Sequence, residues 1–422
     1  MRFNVVFMVL DTLREDYSSG LRKLEDFGFV AYENAIAASN WTIPSHASMF
    51  TGRLPSSHGI HESRNTYADF TSVKLRPANL IVQQDGILGR LADLGYATYS
   101  VTANPYVTPL FGFPFSYCNV FDEDGLVSEV RRYLDRSSGN WPRALRNMIW
   151  DRKTWLLAHR VYKKLKEKMP RLLMRTPLEK GSEHIIHFVE SWKVQEPFML
   201  FLNLMEAHQP YSWNDKRPGV ESTYCYLVGK PYPHDLNWRQ KYQRHADLVT
   251  SRAIDITASM GRLPRNTLCI VTSDHGQLLG EMGKYDHGYF LDDALLKVPL
   301  YIRYPEGMQP FRQREGRLSL CEIPLVIESA LYGTKIELGS KCVMAESFGP
   351  PWEVLEYAAN ESERRVLEDA YRHKLKAYTD NGSFALDPRS GVIEDRQKGV
   401  TDKDIATCLQ ASSSIHSTLA QT

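Results

Sequence analysis

The chain has 422 residues, of which 43% are hydrophobic and 24% are charged, as is ordinary for a soluble globular protein. Its 51 Lys and Arg residues nearly balance 50 Asp and Glu residues, and the formal net charge of +1 predicts no whole-protein attraction to nucleic acid. The length suffices for one large domain with a sizeable core and a smaller second domain.

The N-terminal sequence MRFNVVFMVL resembles the start of a signal peptide. Its apolar run is short, however, has no small-residue cleavage site and leads directly into the polar segment DTLRED. We interpret it as a buried β-strand. No other run approaches the roughly 20 apolar residues of a membrane-spanning helix, so we expect a cytoplasmic protein. The six cysteines have no CxxC spacing and indicate neither a zinc ribbon nor a disulfide framework.

Five short, β-branched apolar runs predict central strands, and helical patterns at Ile81–Leu94 and Gly181–Lys193 separate some of them. Alternating strands and helices predict an α/β domain whose mostly parallel central sheet has helices on both faces. The predicted strands are Asn4–Leu10, Thr98–Thr102, Phe198–Leu204, Leu268–Thr272 and Val298–Arg303.

Two further regions complete the predicted organisation. A strongly basic segment with three tryptophans, at about 128–180, predicts a helical insertion. It is either a face that docks on an anionic membrane or polymer, or a cap with a solvated charged face. The pattern KLKAYTDNGSFALDP predicts two antiparallel strands around a turn. We therefore predict a catalytic domain at 1–330, a small antiparallel α+β subdomain at 331–400 and a polar tail at 401–422.

The segment NWTIPSHASMFTG predicts a helix that opens near Pro44 and carries hydroxyl side chains at its start. The N-terminus of a helix presents unpaired N–H groups and partial positive charge, which suit an anionic ester. Thr42 is therefore a candidate nucleophile. The alternative is that Thr42 or Ser45 only caps the helix.

Polar residues follow the predicted strands at the sheet edge where ligands of α/β folds bind. Adjacent Asp and His residues after a strand can bind one divalent ion, and a glycine-spaced loop beyond them carries further polar groups. We take Gly276 to permit a sharp turn there. The residues are Asp11, Asn104, Glu206, His208, Asp274 and His275, with Glu281, Lys284, Asp286 and His287 in the loop.

Four ordered blocks resemble the sulfatase-like branch of the alkaline phosphatase superfamily: NVVFMVLDTLRED, YENAIAASNWTIPSHASMFTGRLPSSHGIHESRN, FLNLMEAHQPY and TSDHGQLLGEMGKYDHG. The resemblance implies metal ligands at Asp11, Thr42, Asp274 and His275, with Thr42 as the nucleophile. It implies catalytic roles for His208 and His287, and substrate contacts for Lys284, Asn65, Asn104 and His46. For His46 a packing role is the alternative, and His58 and His61 could simply be surface residues.

Three positions in two motifs depart from the family pattern. Thr42 stands where sulfatases carry the Cys or Ser that is oxidised to formylglycine, and oxidation of threonine would yield a ketone instead of that aldehyde. His46 replaces the usual arginine, and Thr12 replaces a second aspartate that calcium-binding relatives use. These departures favour phosphorus chemistry over that of a formylglycine sulfatase.

We therefore predict a metal-dependent hydrolase of phosphate mono- or diesters or phosphonates that works through a covalent phosphothreonine on Thr42. The alternatives are transfer of a phospho-group to a glycan or lipid alcohol, hydrolysis of sulfuric esters without formylglycine, and a non-catalytic binding protein. One histidine among oxygen ligands favours Mn²⁺ or Zn²⁺, with Ca²⁺ or Mg²⁺ as alternatives. A second ion held by His208 and His287 with Glu206 or Asp286 is a further alternative.

Overall fold

The first apolar run forms the central strand of a large sheet. The computed structural model describes residues 3–61, 86–109, 112–120, 177–212, 218–234, 237–314, 316–350 and 354–419. Numbered in chain order, the strands of the large sheet are β1 (Asn4–Leu10), β2 (Val30–Ile36), β3 (Ala97–Thr102), β4 (Tyr117–Val120), β5 (Phe198–Leu204), β6 (Thr267–Thr272), β9 (Lys297–Arg303) and β11 (Leu318–Ser319).

These strands are arranged in the order β11-β2-β9-β6-β1-β5-β3-β4. Only β9 runs against its neighbours, pairing antiparallel with both β2 and β6. The predicted mostly parallel sheet is therefore confirmed. The five predicted strands are also confirmed, with bounds within one residue of the prediction.

Helices cover both faces of the sheet. In chain order they are α1 (Thr42–Thr51), α2 (Pro55–His58), α3 (Ile87–Asp93), α4 (Ser182–Ser191), α5 (Gly219–Leu227), α6 (Trp238–Ser259), α7 (Asp293–Leu296), α8 (Ile323–Tyr332), α9 (Glu361–Asp369) and α10 (Asp402–Leu419). None of the helices in the described ranges is long and apolar enough to cross a bilayer.

The side chains of β1 explain the layered packing, because successive residues of a strand point to opposite faces. Val5, Phe7 and Val9 belong to a core that includes residues of α1, α3 and α8. Val6 and Met8 belong to the core on the other face, with residues of α4 and α6. A strand buried on both faces reads as a continuous apolar run, as this one does.

The remaining strands form small sheets. A hairpin of β7 (Leu278–Glu281) and β8 (Lys284–Asp286) follows β6, and β10 (Arg312–Gln313) pairs with β12 (Glu337–Leu338). The predicted C-terminal strands and turn are confirmed, since β14 (Lys374–Thr379) and β15 (Gly382–Leu386) form an antiparallel pair. The full antiparallel sheet is β13 (Cys342–Ser347), β14 (Lys374–Thr379), β15 (Gly382–Leu386) and β16 (Ile393–Arg396).

Several sequence predictions concern regions that the structure describes only in part. Most of the basic segment at 128–180 and residues 81–85 of the first predicted helix lie outside the described residues, as does Asn65. The domain boundaries at 330 and 400 stay predictions. The polar C-terminal segment forms helix α10 from Asp402 onward.

The expectation about cysteines was wrong for one pair. Cys342 on β13 and Cys408 on α10 form a disulfide, with their Cα atoms 5.5 Å apart. Their separation of 66 residues hid the pair, because only the fold brings β13 and α10 together. Disulfides are rare in cytosolic proteins. The cytoplasmic location stays a prediction.

We expect reduction of this disulfide to destabilise the protein, because the open chain regains the entropy that the closed loop withholds from the unfolded state. The free energy of unfolding should fall by up to about 4 kcal/mol. Urea denaturation with and without dithiothreitol measures the difference. The double variant Cys342→Ser/Cys408→Ser serves as the control, since dithiothreitol should not change its midpoint. Equal midpoints for the reduced and oxidised wild type would contradict this prediction.

Candidate active site

The active-site candidates converge because their strands are neighbours. β5 and β6 flank β1 in parallel register, so the carboxyl ends of all three lie at one edge of the sheet. Asp11 follows β1, and Asp274 with His275 follows β6. All three side chains are fully buried, and one ligand atom from each lies within 4.8 Å of the others.

Each of these side chains has one atom held by the protein and one left open. The Asn104 amide donates to Asp11 Oδ2 at 2.7 Å, and Asp11 Oδ1 has no hydrogen-bond partner. The backbone N–H groups of Thr12 and His275 donate to Asp274 Oδ1. Asp274 Oδ2 has no hydrogen-bond partner, and the nearest imidazole nitrogens, of His275 and His46, lie 3.4 and 3.5 Å from it.

The third residue of the group is His275, whose tautomer is fixed by a hydrogen bond. Its Nδ1–H donates to the Gly276 carbonyl at 2.9 Å, which leaves the Nε2 lone pair free. Two open carboxylate oxygens and one imidazole nitrogen are ligands that divalent metals accept. The residues present therefore fit a divalent cation, as the sequence predicted for Asp11, Asp274 and His275.

The electrostatics of the group also call for a cation. Burial raises the pKa of Asp274 to about 7. Burial and the charge of Asp274 raise the pKa of Asp11 well above its ordinary value, although amide hydrogen bonds from Asn104 and Asn203 oppose this. Two carboxylates without solvent repel each other at close range, and a bound cation would remove that cost.

Thr42 is the first residue of α1 and lies beside this group. Its Oγ1 is 3.4 Å from His275 Nε2, and its side chain is almost fully buried. The residue at the N-cap is Trp41, which makes no side-chain cap. Ser45 Oγ instead donates to the Asp274 carbonyl at 2.6 Å. The alternative that Thr42 or Ser45 caps the helix is therefore wrong.

His46 lies next to Thr42 and is fully buried. Its Nδ1–H donates to the Thr42 carbonyl at 2.8 Å, and its Nε2 accepts from the Asn203 amide at 3.4 Å. Its ring packs edge-on against Phe113 and Phe201, and burial lowers its pKa to about 4. His46 is therefore a neutral, packed, hydrogen-bonded residue; its contact with substrate stays a prediction.

The imidazole rings of His208 and His287 lie beside the group formed by Asp11, Asp274 and His275. His208 Nδ1–H donates to the Gln209 carbonyl at 2.6 Å, and His287 Nδ1–H donates to Gln277 Oε1 at 2.7 Å. The ring centroid of His287 is 5.1 Å from that of His208 and 4.7 Å from that of His275. The three imidazole rings of His208, His275 and His287 therefore lie side by side.

The charges around these two rings differ. Burial, followed by the nearby His287, lowers the pKa of His208 to about 3, so its ring is neutral. Asp286 Oδ1 lies 3.0 Å from His287 Nδ1. Burial raises the pKa of Asp286, but the charge and hydrogen bond of His287 outweigh burial and leave that pKa below its ordinary value. Asp286 and His287 therefore form a buried acid–base pair.

Other predicted residues have different partners. Lys284 Nζ binds Asp292 at 3.0 Å and lies over the rings of Tyr226 and Phe290. Asn104 supports Asp11, as described above, so its direct contact with substrate stays a prediction. Glu206 accepts from the N–H groups of Lys180 and Ser182 at the start of α4.

The two carboxylates proposed for a second ion differ. Glu206 Oε1 accepts from the N–H groups at the start of α4, but Glu206 Oε2 is buried and has no hydrogen-bond partner. Asp286 Oδ2 accepts from the Gln209 side chain and the Gly219 N–H. For His58 the suggested surface position is wrong, because the residue is fully buried and its Nε2 contacts Ser48 Oγ at 3.0 Å.

The structure also shows why Gly276 follows the Asp–His pair. A Cβ at this position would lie 2.0 Å from the Ala294 carbonyl oxygen. Gly276 has no positive φ, so the expected sharp turn is not what requires a glycine here. The reason is close packing against Ala294, which precedes β9 in the chain.

Sequence reasoning also missed Asn203 and Gln277. An amide near the end of the apolar run FMLFLNL was the available signal for Asn203.

Comparison with known proteins matches most of the chain to one family. The family model named Sulfatase matches residues 4–324. The low-salt glycan biosynthesis sulfotransferase Agl7 of Haloferax volcanii is 32% identical over 117 residues, a match that covers 25% of this chain and 27% of that protein. The chain thus matches about a quarter of the length of this curated relative.

Solved structures match over nearly the whole chain. A phosphonate monoester hydrolase from Silicibacter pomeroyi aligns with a TM-score of 0.58 at 14% identity, covering 100% of this chain and 96% of that one. A 2-O glycosaminoglycan sulfatase also aligns at 0.58, with 12% identity and coverage of 100% and 92%. At these identities the likeness shows the fold. Together with the family match, it confirms the resemblance stated above: the chain belongs to the Sulfatase family.

Proposed function

We propose that the protein is a metal-dependent hydrolase of phosphate mono- or diesters or phosphonates, with Thr42 as the nucleophile. The position of one hydroxyl carries this proposal. Thr42 Oγ1 lies at the start of α1, 3.4 Å from His275 Nε2 and beside the open ligand atoms of Asp11 and Asp274. A hydroxyl that neither caps its helix nor faces solvent has the placement of a reacting group.

Asp11, Asp274 and His275 would hold the ion, together with the Thr42 oxygen. When bound, a divalent ion would lower the pKa of the Thr42 hydroxyl, so that its proton is released to solvent, and would offset negative charge on the transferred group. We propose Mn²⁺ or Zn²⁺ as the ion, because one imidazole joins the oxygen ligands.

The chain's own residues then account for the transfer. Thr42 Oγ1 forms the bond to phosphorus while the bond to the leaving oxygen breaks on the opposite side. The N-terminus of α1 directs backbone N–H groups and partial positive charge at the phosphoryl oxygens. His287, whose Nδ1 is held by Gln277 and Asp286, would donate a proton from Nε2 to the leaving alcohol. Water would then hydrolyse the phosphothreonine.

Transfer to an acceptor alcohol is a second candidate, and one comparison favours it. The curated relative from Haloferax volcanii is named as a sulfotransferase of glycan biosynthesis. The same site would serve this reaction if a glycan or lipid hydroxyl replaced water, with a phospho-group or a sulfuryl group as the cargo. Hydrolysis of sulfuric esters without formylglycine is a third candidate. The intact set of ligand atoms argues against a silent binding protein.

The first test compares Thr42→Ala with Thr42→Ser on a panel of aryl phosphate monoesters, diesters, phosphonates and sulfates. Loss of the nucleophile should lower kcat by at least about a thousandfold. Thr42→Ser retains a hydroxyl and should keep measurable turnover. Mass spectrometry of the trapped enzyme should find the phosphoryl group on the peptide that contains Thr42.

Two results would contradict parts of this assignment. Full activity of Thr42→Ala would show that another group attacks the substrate. Turnover of sulfates alone would replace phosphorus chemistry with sulfur chemistry. An acceptor glycan that raises the rate of ester cleavage and becomes modified itself would establish transfer instead of hydrolysis.

The second test measures metal binding without activity. Mn²⁺ or Zn²⁺ at a hundredfold excess over its Kd should raise the Tm of the metal-free protein by about 3 °C, because the ion binds only the folded state. Asp274→Asn keeps an oxygen to accept from the Thr12 and His275 N–H groups, so it should fold but lose this response. Lys376→Met, on β14, is the control and should respond as the wild type does. An equal Tm shift in Asp274→Asn would refute the metal assignment.

A further inference from the structure

Asn203 is a fully buried amide in an otherwise apolar strand. It lies near the end of β5, FMLFLNL, and is the one polar residue of that strand. Its Oδ1 is buried and has no hydrogen-bond partner among the described residues. An amide oxygen that has lost water without gaining a donor costs free energy. The side chain therefore needs a role that offsets this cost, and its two N–H donors are the groups that can supply one.

The strand register places this amide beside Asp11. Asn203 pairs with Val9 of the parallel strand β1, and the Val9 side chain belongs to the core that includes residues of α1. Asp11 continues the same ladder, because its N–H donates to the Leu204 carbonyl at 2.9 Å. Residues two apart in a strand point to the same face. The side chains of Asn203 and Asp11 therefore lie on neighbouring strands, on the face that α1 covers.

The amide acts on two residues of the candidate site. Its Nδ2 donates to His46 Nε2 at 3.4 Å. It also acts on Asp11: burial raises the pKa of that carboxyl, and the Asn203 amide is one of two amides whose hydrogen bonds oppose the rise. Since the amide nitrogen carries two N–H groups, it can serve both neighbours at once. Asn203 thus connects the carboxylate at the end of β1 with helix α1.

His46 extends this connection to the nucleophile. Its Nδ1–H donates to the Thr42 carbonyl at 2.8 Å, one turn earlier in α1. Because a carbonyl oxygen only accepts, Nδ1 carries the proton and Nε2 presents its lone pair to the Asn203 N–H. The ring is also packed edge-on against Phe113 and Phe201. A ring held at both nitrogens and on its sides transmits position from β5 to the start of α1.

We propose that Asn203 is a positioning residue that fixes Asp11 relative to Thr42, so that both can bind the same ion. It acts through Asp11 on one side and through His46 on the other, and not by contact with the substrate. The unpaired oxygen is the consequence, since a leucine of the same branched shape would complete the apolar strand without it. This inference rests on the proposed function, because it assumes that Asp11 and Thr42 are ligands of one ion.

The variant Asn203→Leu tests the inference with the metal alone, because it keeps the branched shape and removes the donors. Calorimetric titration of the metal-free protein with Mn²⁺ should give a Kd at least about tenfold above that of the wild type, the usual effect of losing a group that orients metal ligands. The Tm of the metal-free variant should equal or exceed that of the wild type, since no unpaired oxygen is buried. A residue with a structural role alone would show a lower Tm and an unchanged Kd.

The matched control is Asn4→Leu, which removes a buried amide at the opposite end of β1. Asn4 Nδ2 donates to Glu196 at 2.7 Å, and Asn4 Oδ1 accepts from the Phe198 N–H at 3.2 Å. Its loss should therefore lower the Tm and leave the Kd for Mn²⁺ within about twofold, because distant sites act independently. Should Asn203→Leu fail to fold, Asn203→Ala removes the same donors without added volume, with the same rise in Kd expected.

An unchanged Kd in the Asn203 variant would overturn the inference, as would an equal rise in Asn4→Leu. Failure of the proposed function looks different: the wild type then binds Mn²⁺ but cleaves no ester of the panel, while the rise in Kd for Asn203→Leu persists. A wild type that binds neither Mn²⁺ nor Zn²⁺ would refute the metal assignment and this inference together. Circular dichroism of each variant excludes loss of folding as the cause.

Discussion

Two carboxylates buried at one sheet edge are the constraint on which the rest of the site depends. Asp11 and Asp274 are fully buried, and each keeps one oxygen without a protein partner. Such an arrangement costs free energy unless a cation or proton compensates it. The surrounding contacts fix the other oxygens: Asn104 holds Asp11, while backbone N–H groups hold Asp274. The protein thus orients a ligand set that it does not itself neutralise.

Hydrogen bonds from the protein also fix the tautomers of the four histidines near this group. Each histidine near the group donates Nδ1–H to an oxygen of the protein, so that the tautomer is fixed and Nε2 is the free nitrogen or accepts a hydrogen bond. In His46 the free nitrogen is turned to Asn203, away from this role. In His275 the same nitrogen lies 3.4 Å from Thr42 Oγ1. The partner of Nε2 therefore distinguishes His46, which accepts from Asn203, from the three other histidines, which are candidates for a role in the site.

The C-terminal sheet contributes to the site through a loop and not through a ligand of the predicted ion. Ser347 and Lys374 both contact Tyr289, while Asn40, in the segment before α1, donates to the Phe290 carbonyl of the same loop. These hydrogen bonds join the antiparallel sheet to the loop that carries His287. The contact is a physical reason for one chain to carry both sheets.

The sequence by itself determined the central strands and the order of the motifs, and it pointed to Asp11, Asp274 and His275. It could do so because continuous apolar runs and polar strand ends are local signals. Asp11, Asp274 and His275 could be predicted to meet, since parallel strands share an edge. Only the tertiary structure decided the partners of each side chain. The burial of His58, the engagement of Lys284 by Asp292, the role of Asn203 and the Cys342–Cys408 disulfide depend on segments far apart in the chain. Such contacts leave no periodic pattern, because they arise from packing between elements and not within one.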